Sequence, residues 1–182
     1  MIDFGHMITL DTLNYPITPI IREWRNNYNI WKWCRQNDLI SQDSHQKWSE
    51  SLRDRSDVKM YAIKNNITVV GVCGLTDIDR INQRAEFSLY INSDHQGQGY
   101  GKSALKTLIA HGFMSQNLNV IWGETFEGNP AYDMFLKLGM KHEGTRRQFY
   151  YKEGNFIDAH LVSITKQEYR EQNWIKTQCL EP

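Results

Sequence analysis

The sequence predicts an α/β fold: a mixed, mainly antiparallel sheet of about six to seven strands flanked by helices, in a single domain over residues 1–182. Three observations carry this. Short runs rich in Val, Ile, Tyr and Phe follow one another across tight turns in the middle of the chain, which implies an antiparallel meander. A glycine-rich loop then joins a strand to a helix, and helical and strand patterns alternate after it. The composition, 40% apolar and 23% charged over 182 residues, suits one domain with a full core.

In chain order, Ile8 and Leu10 alternate in a first strand that ends near Leu13. Thr18 is placed to cap a helix with Pro19 at its first position, and Ile20, Ile21, Trp24 and Tyr28 fall on one face. A second short helix carries Ile30, Trp31 and Cys34. Asp43 or Ser44 is expected to cap a third, with His45, Trp48 and Leu52 in register. Three strands follow over 58–64, 68–75 and 85–92. The main helix runs to about Gln116 and a further strand covers 119–125, parallel to the one ending near Asn92 because a whole helix separates them. Gly128-Asn129-Pro130 opens another helix that Gly139 closes. Strands over 141–151 and 156–164 and a short helix over 165–174 complete the pattern. Trp24, Trp31, Trp33 and Trp48 lie at helical spacing, which reads as core, with an acceptor pocket as the other use for them.

The stretch that bears on function is Asp94-His-Gln-Gly-Gln-Gly-Tyr-Gly-Lys-Ser-Ala-Leu-Lys106. Glycines 97, 99 and 101 permit positive φ and remove the Cβ atoms that would hold a ligand off the backbone. A strand ends before them and a helix begins within them, so bare N–H groups gather at the positive end of a helix dipole, where a phosphate binds. A P-loop needs four residues between its first glycine and Gly-Lys-Ser, and only three lie between Gly97 and Gly101. The dinucleotide fingerprint needs a glycine where Lys102 stands. Gln96-x-x-Gly99-x-Gly101 fits neither, but it resembles the acyl-CoA pyrophosphate loop of the GCN5-related N-acetyltransferases.

That resemblance extends along most of the chain. Residues 84–91, Arg-Ala-Glu-Phe-Ser-Leu-Tyr-Ile, are similar to the fourth strand of the ribosomal-protein and spermidine acetyltransferase branch. Asn129-Pro130-Ala131 with Leu138-Gly139-Met140 resembles the helix that follows its next strand, and Glu143 to Arg146 and Gly154 to Asp158 its last hairpin. Trp24-Arg25-Asn26, Ile40-Ser41 and His45-x-x-Trp48 are similar to acetyltransferases of amino sugars. The resemblance implies the GNAT acyl-CoA N-acyltransferase fold, acetyl-CoA as co-substrate, and an acetyl group transferred to a primary amine of a small molecule, an amino sugar being the first expectation. A protein N-terminus or a polyamine is the alternative acceptor, and a catalytically weak acyl-CoA-binding module the alternative class.

It implies site residues as well. Gln96, Gly97, Gln98, Gly99, Tyr100 and Gly101 are expected to hold the pyrophosphate, and Lys102 either reaches a phosphate or is a solvated residue of the helix. A backbone N–H at Ile91 or Asn92 would polarise the thioester carbonyl, and Asn129 would bond the pantetheine arm or cap its helix. An amine near pKa 10 is almost wholly protonated at neutral pH, so transfer needs a base. Glu86, on a strand face with Ser88 and Tyr90, is the first candidate; its structural reading is a partner for Arg84 or Arg146, and Glu124 is the reserve. The family places a tyrosine four residues before the glycine that ends its helix, as proton donor to the thiolate. Here Phe135 occupies that place, and Tyr132, one turn earlier, is the substitute, with a packed aromatic as its structural reading.

Formal net charge is zero, and between Arg22 and Asp57 seven basic residues balance six acidic ones, so nothing indicates nucleic acid, membrane or a polycationic substrate. Cys34, Cys73 and Cys179 are odd in number and widely spaced, which reads as reduced thiols in a cytoplasmic protein without structural zinc or any other metal. The partners expected are the small-molecule amine and a second copy in a homodimer. Residues 1–7 read as a leader or a tag remnant, with Met7 the natural start.

Overall fold

The computed structural model describes residues 8–13 and 18–176, so the expectations for residues 1–7 and for Cys179 lie outside the described residues. A seven-stranded sheet in the order β1-β2-β3-β4-β5-β7-β6 forms the frame. Its strands are β1 (Ile8–Thr12), β2 (Lys59–Asn65), β3 (Thr68–Asp79), β4 (Arg84–Ile91), β5 (Val120–Phe126), β6 (Lys141–Lys152) and β7 (Asn155–Thr165). All neighbours are antiparallel except β4 and β5. Around the sheet lie α1 (Thr18–Asn26), α2 (Tyr28–Trp31), α3 (Gln42–Ser51), α4 (Tyr100–Met114), α5 (Ala131–Lys137), α6 (Lys166–Glu171) and α7 (Asn173–Lys176).

The exchange between β4 and β5 creates the site. These parallel strands pair only over Arg84–Glu86 with Val120–Trp122, then separate. Past Glu86 the β4 edge that faced β5 has no ladder partner, and a cleft opens there. In an antiparallel ladder successive N–H groups point to alternate sides. Asn92 N–H bonds Val70 O at 2.9 Å on the β3 side. The N–H groups of Leu89 and Ile91 therefore turn toward the cleft.

α4 packs on one face of this sheet because its apolar positions recur at helical spacing. Leu105, Leu108, Ile109 and Phe113 are buried in the same cluster as Phe87, Ile121 and Phe135. Each such side chain contributes roughly 1.5–3 kcal/mol relative to exposure. Gly123 on β5 belongs to this packing, since a Cβ there would lie 2.4 Å from Phe87 Cε1. Any larger residue would push the Phe87 ring out of its place against Phe135.

Several boundaries differ from the sequence reading. α3 is capped by Ser41, whose hydroxyl accepts from Ser44 N–H at 3.1 Å, rather than by Asp43 or Ser44. Thr165 closes a full capping box with Glu168 at the start of α6. The tryptophans expected in the core, Trp24, Trp31, Trp33 and Trp48, are all half-buried. They sit on the short helices α1 to α3 and the loop after α2, outside the sheet, rather than inside a layer. No helix among the described residues is long and apolar enough to cross a membrane.

Candidate active site

A cavity of about 920 Å³ runs through the β4–β5 cleft. One end is backbone-rich. Gly97 and Gly99 adopt φ of 75° and 86°, and nothing lies within 4 Å of where a Gly97 Cβ would be. Gly101 differs: it lies in the first turn of α4, and its Cβ position is 3.5 Å from Ile91 Cγ1, so its role is close approach and not positive φ. Gln96, Gly97, Gly99, Tyr100, Gly101 and Lys102 line this end with Ile91, His95, Asn129, Ala131, Met134 and Phe135. The start of a 15-residue helix with side-chain-free approach fits a pyrophosphate. Gln98 does not line the cavity; its amide donates to Asp94 O at 3.3 Å. Asn129 lines it while its side-chain oxygen accepts from Ala131 N–H at 3.0 Å, so it both faces the cleft and starts α5.

Two expectations are corrected here. Asn92 is outside the lining and its N–H is spent on Val70 O, which leaves Ile91, with Leu89, as the N–H groups aimed at the cleft. Tyr132 is also outside it: its hydroxyl pairs with His142 Nδ1 at 3.1 Å and its ring packs on His160. The helix is not rotated, so Phe135 keeps the position facing the cavity, edge-on to Phe87 with ring centroids 5.0 Å apart. No hydroxyl of α5 is brought to the cleft.

The opposite end is built from side chains. Glu86 lines it with Ser88 and Tyr90, across the strand from the core-facing Phe87. Glu124, on β5, lies beside it. Their side chains are 4% and 2% exposed. The partner of Glu86 is neither Arg84, which pairs with Asp79 at 3.4 Å, nor Arg146. It is Arg35, from the loop between α2 and α3: Nη2 donates to Glu86 Oε1, and Nε lies 3.1 Å from Glu124 Oε1. Arg146 Nη1 donates to Glu124 Oε2 at 2.9 Å, and the Tyr150 hydroxyl donates to Glu124 Oε1. Burial, and then that bond to an acceptor carboxylate, push the Tyr150 phenol above its ordinary pKa.

Sequence reasoning missed Arg35, Tyr150 and Thr125. The last lines the cavity with a buried hydroxyl that has no hydrogen-bond partner, a donor placed for a ligand's amide or carbonyl. For Arg35 and Tyr150 no motif existed to find, since each acts through a carboxylate from a remote segment. A side chamber of about 360 Å³ opens beyond Tyr90, lined by Ile21, Ile40, His45 and Trp48 and sharing Arg25, Thr76, Ser88 and Tyr90 with the main cavity. Of the four tryptophans, Trp33 faces the cavity and Trp48 the chamber.

An open β4–β5 cleft with a glycine loop at one end and carboxylates at the other defines an acyl-CoA-dependent transferase class. The sequence matches the family model described as an acetyltransferase (GNAT) domain over residues 13–141, and the chain belongs to that family, whose members use acetyl-CoA. It is similar to p20, an uncharacterised N-acetyltransferase of Bacillus licheniformis: 34% identical over 59% of the chain, a match spanning 61% of that relative's length. It is 23% identical to the spermidine N(1)-acetyltransferase of Vibrio cholerae, over 89% of the chain and 95% of that protein. The ribosomal-protein-serine acetyltransferase of Escherichia coli is 29% identical over 62% of the chain and 63% of its own length. In fold, the crystal structure of the V. cholerae spermidine enzyme with CoA and spermine superposes with a TM-score of 0.86, at 22% identity, over 90% of this chain and 98% of that one.

Proposed function

We propose that the protein transfers the acetyl group of acetyl-CoA to a primary amine of a small aliphatic polyamine. The observation that carries this reading is the buried carboxylate of Glu86, at the end of the cavity opposite the glycine loop, whose one cation among the described residues is the half-exposed Arg35, while its neighbour Glu124 is already held by Arg146. Carboxylates withdrawn from water attract a cation strongly, and a polyamine is a slender chain of cations. The relatives whose names state an acceptor point to polyamines and a ribosomal protein, which moves the reading away from the amino sugar expected first.

Acetyl-CoA supplies a thioester whose carbonyl carbon the amine attacks, with the C–N bond forming as the C–S bond breaks. Glu86 takes a proton from the bound ammonium, directly or through one water, and frees the nitrogen lone pair. The N–H groups of Leu89 and Ile91 donate to the carbonyl oxygen as it gains charge. The thiolate is a tolerable leaving group, because a thiol has a pKa near 8.5, so the second proton that the nitrogen sheds on becoming an amide reaches it through water without a tyrosine.

One observation favours a second acceptor, a peptide N-terminus. Arg25 Nε is buried at the cavity wall without a hydrogen-bond partner, and a peptide carbonyl satisfies such a donor where a polyamine cannot. Thiol release from acetyl-CoA, measured with spermidine, a simple diamine and a short peptide with a free N-terminus, tests the proposal. Turnover with the polyamines and little with the peptide is expected, and the reverse would move the assignment to a protein acceptor. CoA binding without release from any amine would leave a binding module.

A further inference from the structure

The Arg35 side chain is 48% exposed, yet its guanidinium reaches two carboxylates that are almost fully buried. Among the described residues it is the only partner of the Glu86 carboxylate, whereas Glu124 keeps Arg146 and Tyr150 whatever Arg35 does. The backbone around it is fastened. Lys152, buried on β6, donates from Nζ to Cys34 O at 3.0 Å and to Gln36 O at 2.5 Å, and its ammonium lies over the Trp31 ring. The Arg35 side chain can thus leave by rotation into solvent while its carrier segment stays in place.

We infer that the Arg35 guanidinium occupies, in the free protein, the place beside Glu86 that the acceptor's ammonium takes in the complex, which makes Arg35 a specificity-determining residue. This rests on the reading of Glu86 as the acceptor's partner. A buried carboxylate without a cation is strongly unfavourable, so the two cations exchange one for one. A primary ammonium suits the exchange: it is compact, carries three donors, and rides on a thin alkyl arm that reaches where a bulky amine does not. The acetylated product is a neutral amide that keeps one N–H donor but brings no charge to Glu86. Arg35 then returns and displaces it. Acceptor affinity in the wild type is accordingly reduced by the fraction of molecules in which Arg35 is in place.

Calorimetric titration of the CoA-loaded protein tests this with two probes, spermidine and ethylguanidinium. Arg35→Gln is expected to bind spermidine on the order of tenfold more tightly than wild type, while Arg35→Lys, which keeps a competing cation, stays near wild type. Ethylguanidinium should bind Arg35→Gln in competition with spermidine and leave the wild type without measurable heat. Unchanged CoA affinity establishes that the variant is folded; should Arg35→Gln fail that check, Arg35→Ala is read in the same way. Spermidine binding that is weaker in the variant, or equal, overturns the inference and makes Arg35 an acceptor ligand or a bystander. If spermidine binds neither protein, the polyamine reading fails by itself. Ethylguanidinium still decides for Arg35 if it binds the variant alone, and against it if it binds neither.

Discussion

The two ends of the cavity are built by opposite means. At the glycine-loop end, seven residues within the single stretch 95–102 line the cavity around the start of α4, and the ligand group they suit is set by main-chain geometry. At the carboxylate end, five side chains from four remote segments, Arg35, Glu86, Glu124, Arg146 and Tyr150, meet in one network. A backbone site tolerates changes of side chain and fails on changes of φ. A side-chain network behaves in the reverse way, and this difference can be broken or sharpened experimentally.

The largest effect is expected at the carboxylate end. Glu86→Gln keeps the shape but removes the base, so turnover should fall by about 10²–10⁴ at neutral pH, with the deficit shrinking as pH rises toward the amine's own pKa. Steady-state kinetics beside a CoA titration is the check: CoA affinity should not move, and wild-type turnover would return Glu86 to a purely structural role.

Next comes Gly99→Val. Its φ of 86° is costly for a β-branched residue, by roughly 1–2 kcal/mol, and the added branches face the expected pyrophosphate. We expect CoA affinity to drop about a hundredfold or more in a protein that stays folded, its thermal midpoint lowered by only about 2–8 °C from the backbone strain, because the residue is exposed and buries nothing. Intact CoA binding in the folded variant would dissolve the backbone-site reading.

A smaller effect separates Phe135 from Tyr132. Phe135→Tyr adds a phenol facing the cavity and is expected to raise kcat by up to about tenfold with little change in KM, as for a group used only in the transition state. Tyr132→Phe should leave turnover alone, since that hydroxyl is held by His142. A loss of activity in Tyr132→Phe would show that α5 moves when substrate binds.

The smallest effect concerns pH and stability at the side chamber. His45 is buried with its Nε2 2.7 Å from Thr18 O, and burial lowers its pKa below the ordinary value near 6.5. The unfolded chain therefore binds the proton first, and stability is lost as pH falls from about 6.5 through the depressed folded value. Thermal melts of wild type and His45→Gln across that window should converge as pH falls, because only the wild type loses this contribution. Parallel curves would remove His45 from the acid sensitivity.

Legibility in the sequence followed the same divide. Gly97, Gly99 and the start of α4 were readable because φ preferences and helix dipoles are local properties. The alternation of β4 also placed Glu86 correctly on the face away from Phe87. Its partner was misread as Arg84 or Arg146, because a salt bridge across 51 residues leaves no periodic trace. The near balance of charge between Arg22 and Asp57 likewise hid the site: Arg35, counted there as one basic residue among seven, is the cation that neutralises Glu86.

The sequence by itself determined the strand order of the meander, the glycine loop, the helix it opens and the absence of a tyrosine at position 135, since each depends on residues within a few positions of one another. Only the tertiary structure decided that β4 and β5 part after Glu86 and that Asn92 spends its N–H on Val70. It also turned Tyr132 toward His142 and set Arg35 between two carboxylates. Those outcomes depend on how distant segments share one low-dielectric space, where a buried charge must find its counter-charge wherever in the chain it lies.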